Sequence, residues 1–366
     1  MRVVILGGSI AGLSSAKFLS SRSVEVELYE RKKEIGKGIV CGGGISSFML
    51  KRLGIDLPEQ FILNTVRKVH FYAPNESVSE IEMNRECGYI LDREGWEGWM
   101  GQSLVDDGIK VCTNYRSPLE AIRRGDVVVG ADGLSGITRT IANRGLPPAN
   151  DVYIGIQTTA RTRKLGDDAI SMFFGSRWST KAYAWAFPIG GSIFRVGTAA
   201  PLGDKELTSK LNNLIKFLDA TPKSKPKAKM IPLAKPRKSL ICGKIAYVGD
   251  AGLQTDPLTG GGIATAIIGA RALSDALSEG QIGKYDQLWK ESLLRQHKIR
   301  YWLKTIFTEL SDGELNELIS LLNDIKLIRE DVNVGILQNM VNFVFKKPRI
   351  IVRHKMFRRL LGHVIK

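Results

Sequence analysis

The sequence holds few of the residues that staple a chain or hold a metal: four cysteines and four histidines in 366 residues. Cys41, Cys87, Cys112 and Cys242 show no C-x-x-C spacing and no paired histidines, which disfavours a disulfide scaffold and a zinc site and fits a reducing cytoplasm. No metal site is expected. No apolar run is long enough to span a bilayer. The amino terminus MRVVILGGSIAGL breaks at Gly7-Gly8-Ser9 with no A-x-A site behind it, so a strand and turn are expected rather than a signal peptide. Internal repeats, low-complexity tracts and helix-turn-helix, zinc-finger or aromatic-basic RNA patterns are all missing, and nucleic acid is not an expected partner. Acid is also scarce, since 53 Lys+Arg against 37 Asp+Glu leave a net charge of +16. That excess suits either an anionic partner or a solvated basic surface.

What is present begins with a βαβ opening. RVVIL reads as a strand, GGSIAG as a turn, Leu13, Ala16, Phe18 and Leu19 as the apolar side of a helix, and VEVELYE as a second strand closed by Glu30, 23 residues after Gly7. Gly7 permits a tight turn, Gly12 permits close helix–strand packing, and a carboxylate at Glu30 is placed for a ribose hydroxyl. Ser9 stands where the G-x-G-x-x-G fingerprint has its second glycine and is small enough for a phosphate to approach. Two more strand-to-loop corners follow. DVVVGADGLSGITR puts Asp132 at the end of a buried strand, as a ligand-facing carboxylate or as a helix cap. GKIAYVGDAGLQTDPLTGGGIATAII puts Asp250 at another strand end, with Gly260, Gly261 and Gly262 opening a helix that begins at Ile263.

Between these corners lie different patterns. Cys41 precedes three glycines, which implies a backbone pressed against something flat or sharply bent. Residues 66–83 read as a hairpin about APNES, and His70 within it reads as structural. Arg93 sits between a short strand and a helix. Residues 152–199 read as four antiparallel strands rich in aromatics, with Tyr183, Trp185 and Phe187 on one face of a single strand. Such a stripe serves equally as core or as the wall of a long apolar ligand site. Residues 221–238, with four prolines, seven Lys/Arg and no acid, read as a crossover loop. The end of the chain reads as helical, and residues 346–366 carry eight Lys/Arg, no acid and interleaved apolar side chains, the pattern of a docked terminal helix or of a basic surface lying on anionic lipid.

Taken in order, GGSIAG with Glu30, GADG and VGDAG resemble the FAD-dependent family that includes para-hydroxybenzoate hydroxylase, and CGGGIS with YAWAFP resembles its geranylgeranyl reductase branch. The resemblance runs over nearly the whole chain, including PLTGGGI and LSDGELNELI. It implies an α/β architecture: a Rossmann-type FAD-binding domain from residues 1–65, 87–150 and 241–290, an antiparallel-sheet substrate domain from 66–86 and 151–240, and a helical region from 291–366. Implied cofactor contacts are Gly7, Ser9, Ala11, Gly12, Glu30, Arg31, Cys41, Gly42, Arg93, Asp132, Gly249, Asp250, Gly260, Gly261, Gly262 and Ile263. Implied substrate contacts are Phe173, Tyr183, Trp185, Phe187 and Pro188, and Cys41, Tyr183 and Trp185 are the candidate catalytic residues. The implied reaction saturates C=C bonds in geranylgeranyl chains of archaeal-type membrane lipids or their precursors. An external reductant, NAD(P)H or a ferredoxin-like donor, would reload the flavin, and a cytoplasmic protein peripheral on the inner membrane face is expected. A flavin monooxygenase of an apolar substrate and a non-catalytic prenyl-lipid-binding protein are the alternatives.

Overall fold

The structure, a computed structural model, describes residues 1–324 apart from 23, 56 and 83–85. The basic stretch 346–366 therefore lies outside the described residues.

The opening strand, Arg2–Leu6, is apolar on both faces and sits in the middle of a six-stranded sheet. Glu25–Tyr29 and then Lys110–Cys112 flank it on one side, and Val127–Gly130 and Ile245–Tyr247 on the other, all parallel. Ile241–Cys242 adds an antiparallel edge. Helices Ile10–Ser20 and Ile263–Ser278 pack together over one face, where Leu13, Ala16, Leu19, Ala266, Ala270 and Leu273 are buried with Val3 and Ile5. Buried strands of this kind need no alternation, which is why they read as continuous apolar runs.

The second sheet is built on Val152–Arg161, Ile193–Pro201, Tyr183–Gly190 and Ala169–Phe174 in antiparallel order. Its far side is not antiparallel: Ala169–Phe174 pairs in parallel with Lys68–Tyr72, which continues into the hairpin strand Val78–Glu82. His70 has a partner across that hairpin, Glu80, at 2.7 Å. The expected crossover loop at 221–238 is corrected as well, because Thr221–Pro222 and Lys227–Pro232 both pair with Val152–Arg161. Prolines and lysines are tolerated there because this is the edge of the sheet. Helix Leu207–Phe217 covers one face and buries Leu211 and Leu214 against Phe194 and Val196. The opposite face looks toward the parallel domain. A small sheet of Gly44–Ser46, Gly88–Leu91 and Ile62–Val66 lies between the two.

Carboxyl-terminal helices close one end. Lys284–Trp289 runs through a π-turn, Lys290–Leu294, into Arg295–Phe307, and Asp312–Ser320 begins with a capping box made by Ser311 and Glu314. Among the described residues no helix is long and apolar enough to cross a membrane.

Candidate cofactor and substrate site

Gly7 leaves its strand at φ +109°, and a Cβ there would stand 2.3 Å from the Ala131 carbonyl oxygen. A Cβ on Gly12 would stand 1.8 Å from the Gly7 carbonyl oxygen, so turn and helix touch backbone to backbone. Ala11 is buried in the same contact zone, 2.8 Å from where a Cβ on Gly249 would be. The Gly7–Ser9 turn and the Gly249–Gly252 corner are thereby held side by side.

Ser9 occupies the N-cap position of helix Ile10–Ser20 but spends its hydroxyl elsewhere, donating to Glu97 Oε2 at 2.8 Å. Glu97 forms a buried ion pair with Arg93, one turn earlier on helix Arg93–Asp106. Glu97 was missed by the sequence reading; its i,i+4 spacing from Arg93 was the available signal. Arg93 Nε is buried with no partner among the described residues. A buried guanidinium with an unspent N–H beside a helix amino terminus fits an anionic group such as a diphosphate. Glu30 accepts from Gly8 N at 2.6 Å and Lys32 N at 2.8 Å, one per carboxylate oxygen, which leaves lone pairs for a hydroxyl. Arg31 is exposed. Asp132 turns away from the turn and caps the next helix, accepting from Thr138 N at 2.9 Å and Thr138 Oγ1 at 2.6 Å. Burial holds its carboxyl above the ordinary value despite those bonds. Its side chain is committed to Thr138, the capping option of the two.

Asp250 stands at the next corner, its Oδ1 accepting from Thr255 Oγ1 at 2.7 Å and its Oδ2 3.3 Å from Lys229 Nζ. Burial pushes this carboxyl up, but Lys229 and Thr255 together hold it below the usual carboxylate range. Oδ1 lies 3.7 Å from where a Cβ on Gly262 would be, at the mouth of helix Ile263–Ser278. Gly260 has φ +72°, and the Gly260–Gly262 turn is braced by Asp256, which accepts from Leu258 N at 2.9 Å and pairs with Arg300. Behind it Gln254, fully buried, accepts from Gly249 N at 2.7 Å and donates to Tyr285 Oη at 2.9 Å. Gln254, Asp256 and Arg300 gave no sequence signal beyond polar residues in an apolar neighbourhood.

The aromatic strand roofs these corners. Phe187 lies on the glycine segment: a Cβ on Gly42 would be 2.6 Å from its ring and one on Gly44 3.2 Å. Gly43 has φ +79°, and Arg195 Nη1 donates to the Gly42 and Leu91 carbonyls at 3.0 and 3.1 Å. Trp185 lies flat over Gly197 and Gly155 and donates from Nε1 to Gln157 Oε1 at 3.2 Å. Gln157 Nε2 in turn donates to the Cys41 carbonyl at 3.0 Å. Tyr183 Oη donates to the Thr259 carbonyl at 2.5 Å, and burial holds its phenol far above the ordinary value. Cys41 Sγ accepts from Gly43 N at 3.3 Å. Burial pushes its thiol up, but the Arg93 charge and the Gly43 N–H carry it below the ordinary value. Cys41, Tyr183, Trp185 and Phe187 are thus brought together with Asp250 and Arg93. Pro188 is buried beside Phe187. Phe173 is not part of this face: it is fully buried under helix Leu207–Phe217, stacked on Tyr72 at 4.4 Å. Met172 and Phe174, opposite Trp185 and Tyr183, are the residues of that strand on the aromatic face.

A parallel sheet with a glycine turn, a second glycine-opened helix and an aromatic sheet laid over both defines the two-sheet architecture of the Rossmann-type FAD-dependent oxidoreductases. The chain superposes on a geranylgeranyl bacteriochlorophyll reductase-like protein of Thermoplasma acidophilum with a TM-score of 0.83, at 22% identity, covering 96% of this chain and 98% of that one. It also superposes on Klebsiella pneumoniae HpxO complexed with FAD and uric acid, at a TM-score of 0.69 and 16% identity, over 93% and 97% of the two chains. In sequence it is 27% identical to a digeranylgeranylglycerophospholipid reductase of Methanothrix thermoacetophila over 96% of this chain and 98% of the relative, and 26% identical to such a reductase of Methanopyrus kandleri over 95% and 97%. No family model matches. The chain is thus similar, over nearly its whole length, to curated digeranylgeranylglycerophospholipid reductases and shares the fold of a geranylgeranyl bacteriochlorophyll reductase-like protein.

Proposed function

We propose that the protein is an FAD-dependent reductase that saturates double bonds in geranylgeranyl chains of archaeal-type membrane lipids. The observation that carries this reading is the seating of Gly42 and Gly44 directly against the Phe187 ring, with Cys41 tied to Trp185 through Gln157 and with the Arg93 charge acting on both Cys41 and Asp250. The residues that fit FAD are the Gly7–Gly12 turn, Glu30, Arg93, Asp250 and the Gly260–Ile263 helix start. When bound, the flavin supplies a hydride.

An isolated trisubstituted alkene is not electrophilic, so the chain must deliver a proton to one carbon and tolerate cationic character on the other. Cys41 is the candidate acid: burial pushes its thiol up, but the Arg93 charge and the Gly43 N–H carry it below the ordinary value, which makes the proton easier to give up. The ring faces of Trp185 and Phe187 suit a developing cation and keep water away. Tyr183 has its hydroxyl committed to Thr259 and therefore orients the wall against the glycine loop. NAD(P)H or a ferredoxin-like protein is the proposed source of electrons, and the basic stretch 346–366 the proposed contact with an anionic membrane surface.

The test is anaerobic mixing of dithionite-reduced protein with a geranylgeranylated phospholipid, followed by mass spectrometry. Mass gain in hydrogen pairs is expected. No gain with demonstrably reduced flavin would overturn the reading. Oxygen incorporation in air would move the protein to the monooxygenases, and failure to take up FAD would make it a prenyl-lipid binder.

A further inference from the structure

Among the described residues, four links cross from the aromatic sheet to the parallel domain around the site. Three of them end on backbone carbonyls: Tyr183 on Thr259, Gln157 on Cys41, and Arg195 on Gly42 and Leu91. The fourth joins two charges, Lys229 and Asp250, at 3.3 Å. It is also the most open to solvent, with 53% of the Lys229 side chain and 22% of the Asp250 side chain exposed. A pair whose ammonium is half exposed is readily re-partnered by a third charge. Moreover, an ammonium has three N–H donors and Asp250 occupies one.

The position of Lys229 follows from the strand that the sequence disguised as a loop. Lys229 pairs with Gly155, so its side chain rises from the face on which Trp185 crosses Gly155 and Gly197. Ile231, two residues on and on the same face, places its Cγ2 3.7 Å from where a Cβ on Gly260 would stand. The strand thus leans on the glycine triplet and carries the ammonium over Asp250. From there Lys229 is within electrostatic reach of Arg93, whose guanidinium lies beside Ser9 at the amino terminus of the first helix. Two cations, one from each domain, thus lie within electrostatic reach of each other, one of them beside a helix amino terminus, and the carboxylates next to them are already engaged: Glu97 by Arg93 and Ser9, Asp250 by Thr255 and Lys229.

We infer that Lys229 is a ligand of the cofactor diphosphate, contributed by the substrate sheet, so that the cofactor itself ties the two domains together. This rests on the flavin reading above and adds to it a residue outside the glycine fingerprints. Its test is equilibrium titration of the full chain, stripped of flavin, with FAD, with ADP and with riboflavin, for the parent, Lys229→Met and Lys229→Arg. Losing one charge-assisted hydrogen bond should raise Kd for FAD and for ADP about tenfold or more in Lys229→Met, leave riboflavin unaffected, weaken the dependence of FAD affinity on salt, and be largely restored in Lys229→Arg. Circular dichroism and the melting temperature of the flavin-free variants serve as the folding control. FAD affinity within twofold of the parent in a folded Lys229→Met would overturn the inference alone. So would weakened riboflavin with unchanged ADP, which would put the ammonium at the ring. A parent chain that binds none of the three would overturn the flavin reading and this inference with it.

Discussion

At the scale of single residues, the buried polar groups behind the glycine turn decide how the site answers to pH. His297 is 2% exposed, its Nε2 donating to the Gln254 carbonyl at 3.0 Å, and its Nδ1 has no partner among the described residues. Burial holds the imidazole below its ordinary value of 6.5, so the unfolded chain takes up a proton at a pH where the folded chain does not. The sign follows: stability is full above about pH 6.5, falls as the pH drops from there toward the lower folded value, and levels off beneath it. Because Gln254 also holds Gly249, the loss reaches the Asp250 corner. Melting temperatures measured from about pH 8 to about pH 5 should fall in the parent and fall less steeply in His297→Gln. Parallel slopes in the two proteins would show that His297 does not carry the acid sensitivity.

At the scale of elements, the ring of Trp185 on the aromatic strand fits against the sheet because its neighbours on the next two strands are glycines. Trp185 crosses Gly197, and a Cβ there would meet its ring at 2.4 Å and the Ile156 carbonyl oxygen at 2.7 Å. The ring could swing, but the backbone oxygen cannot, so Gly197→Ala should cost about 1–3 kcal/mol as an overpacked substitution. It should also break the Trp185–Gln157–Cys41 chain of hydrogen bonds. Urea unfolding gives the first, and a changed rate of Cys41 modification by thiol reagents would report disturbance of the second; a variant as stable as the parent would mean the sheet shifts freely. The same strand marks what could be read in advance. Alternation alone put Tyr183, Trp185 and Phe187 on one face, since parity within a strand is a local property. Phe173 was misassigned because its face depends on which residue it meets across the sheet, and it meets Ala184 rather than Trp185. Lys227–Pro232 was hidden for a related reason: an edge strand needs only one hydrogen-bonded side, and its lysines and prolines read as loop.

At the scale of the whole molecule, helix Arg295–Phe307 clamps the two sheets. Its first half holds the parallel domain through His297 on Gln254 and Arg300 on Asp256. Its second half holds the aromatic sheet, where Lys304 donates to Asp151 Oδ1 at 2.7 Å and to the Leu233 carbonyl at 3.0 Å, with Tyr301 Oη 3.1 Å from Asp151 Oδ2. The glycine corners were legible because each is a short run of sequence, whereas Lys304 and Asp151 are 153 residues apart and nothing in either neighbourhood announces the other. Lys304 is 5% and Asp151 8% exposed, so removing one charge strands its partner away from water. Lys304→Met should therefore cost about 3–5 kcal/mol, and Asp151→Asn added to it should return a good part of that loss. The clamp also predicts that the parent unfolds as one unit. Tryptophan fluorescence and far-ultraviolet circular dichroism should report the same urea midpoint in the parent and separate in Lys304→Met, where one sheet is released before the other. Separate midpoints in the parent would mean that the domains fold independently and that the helix merely lies across them.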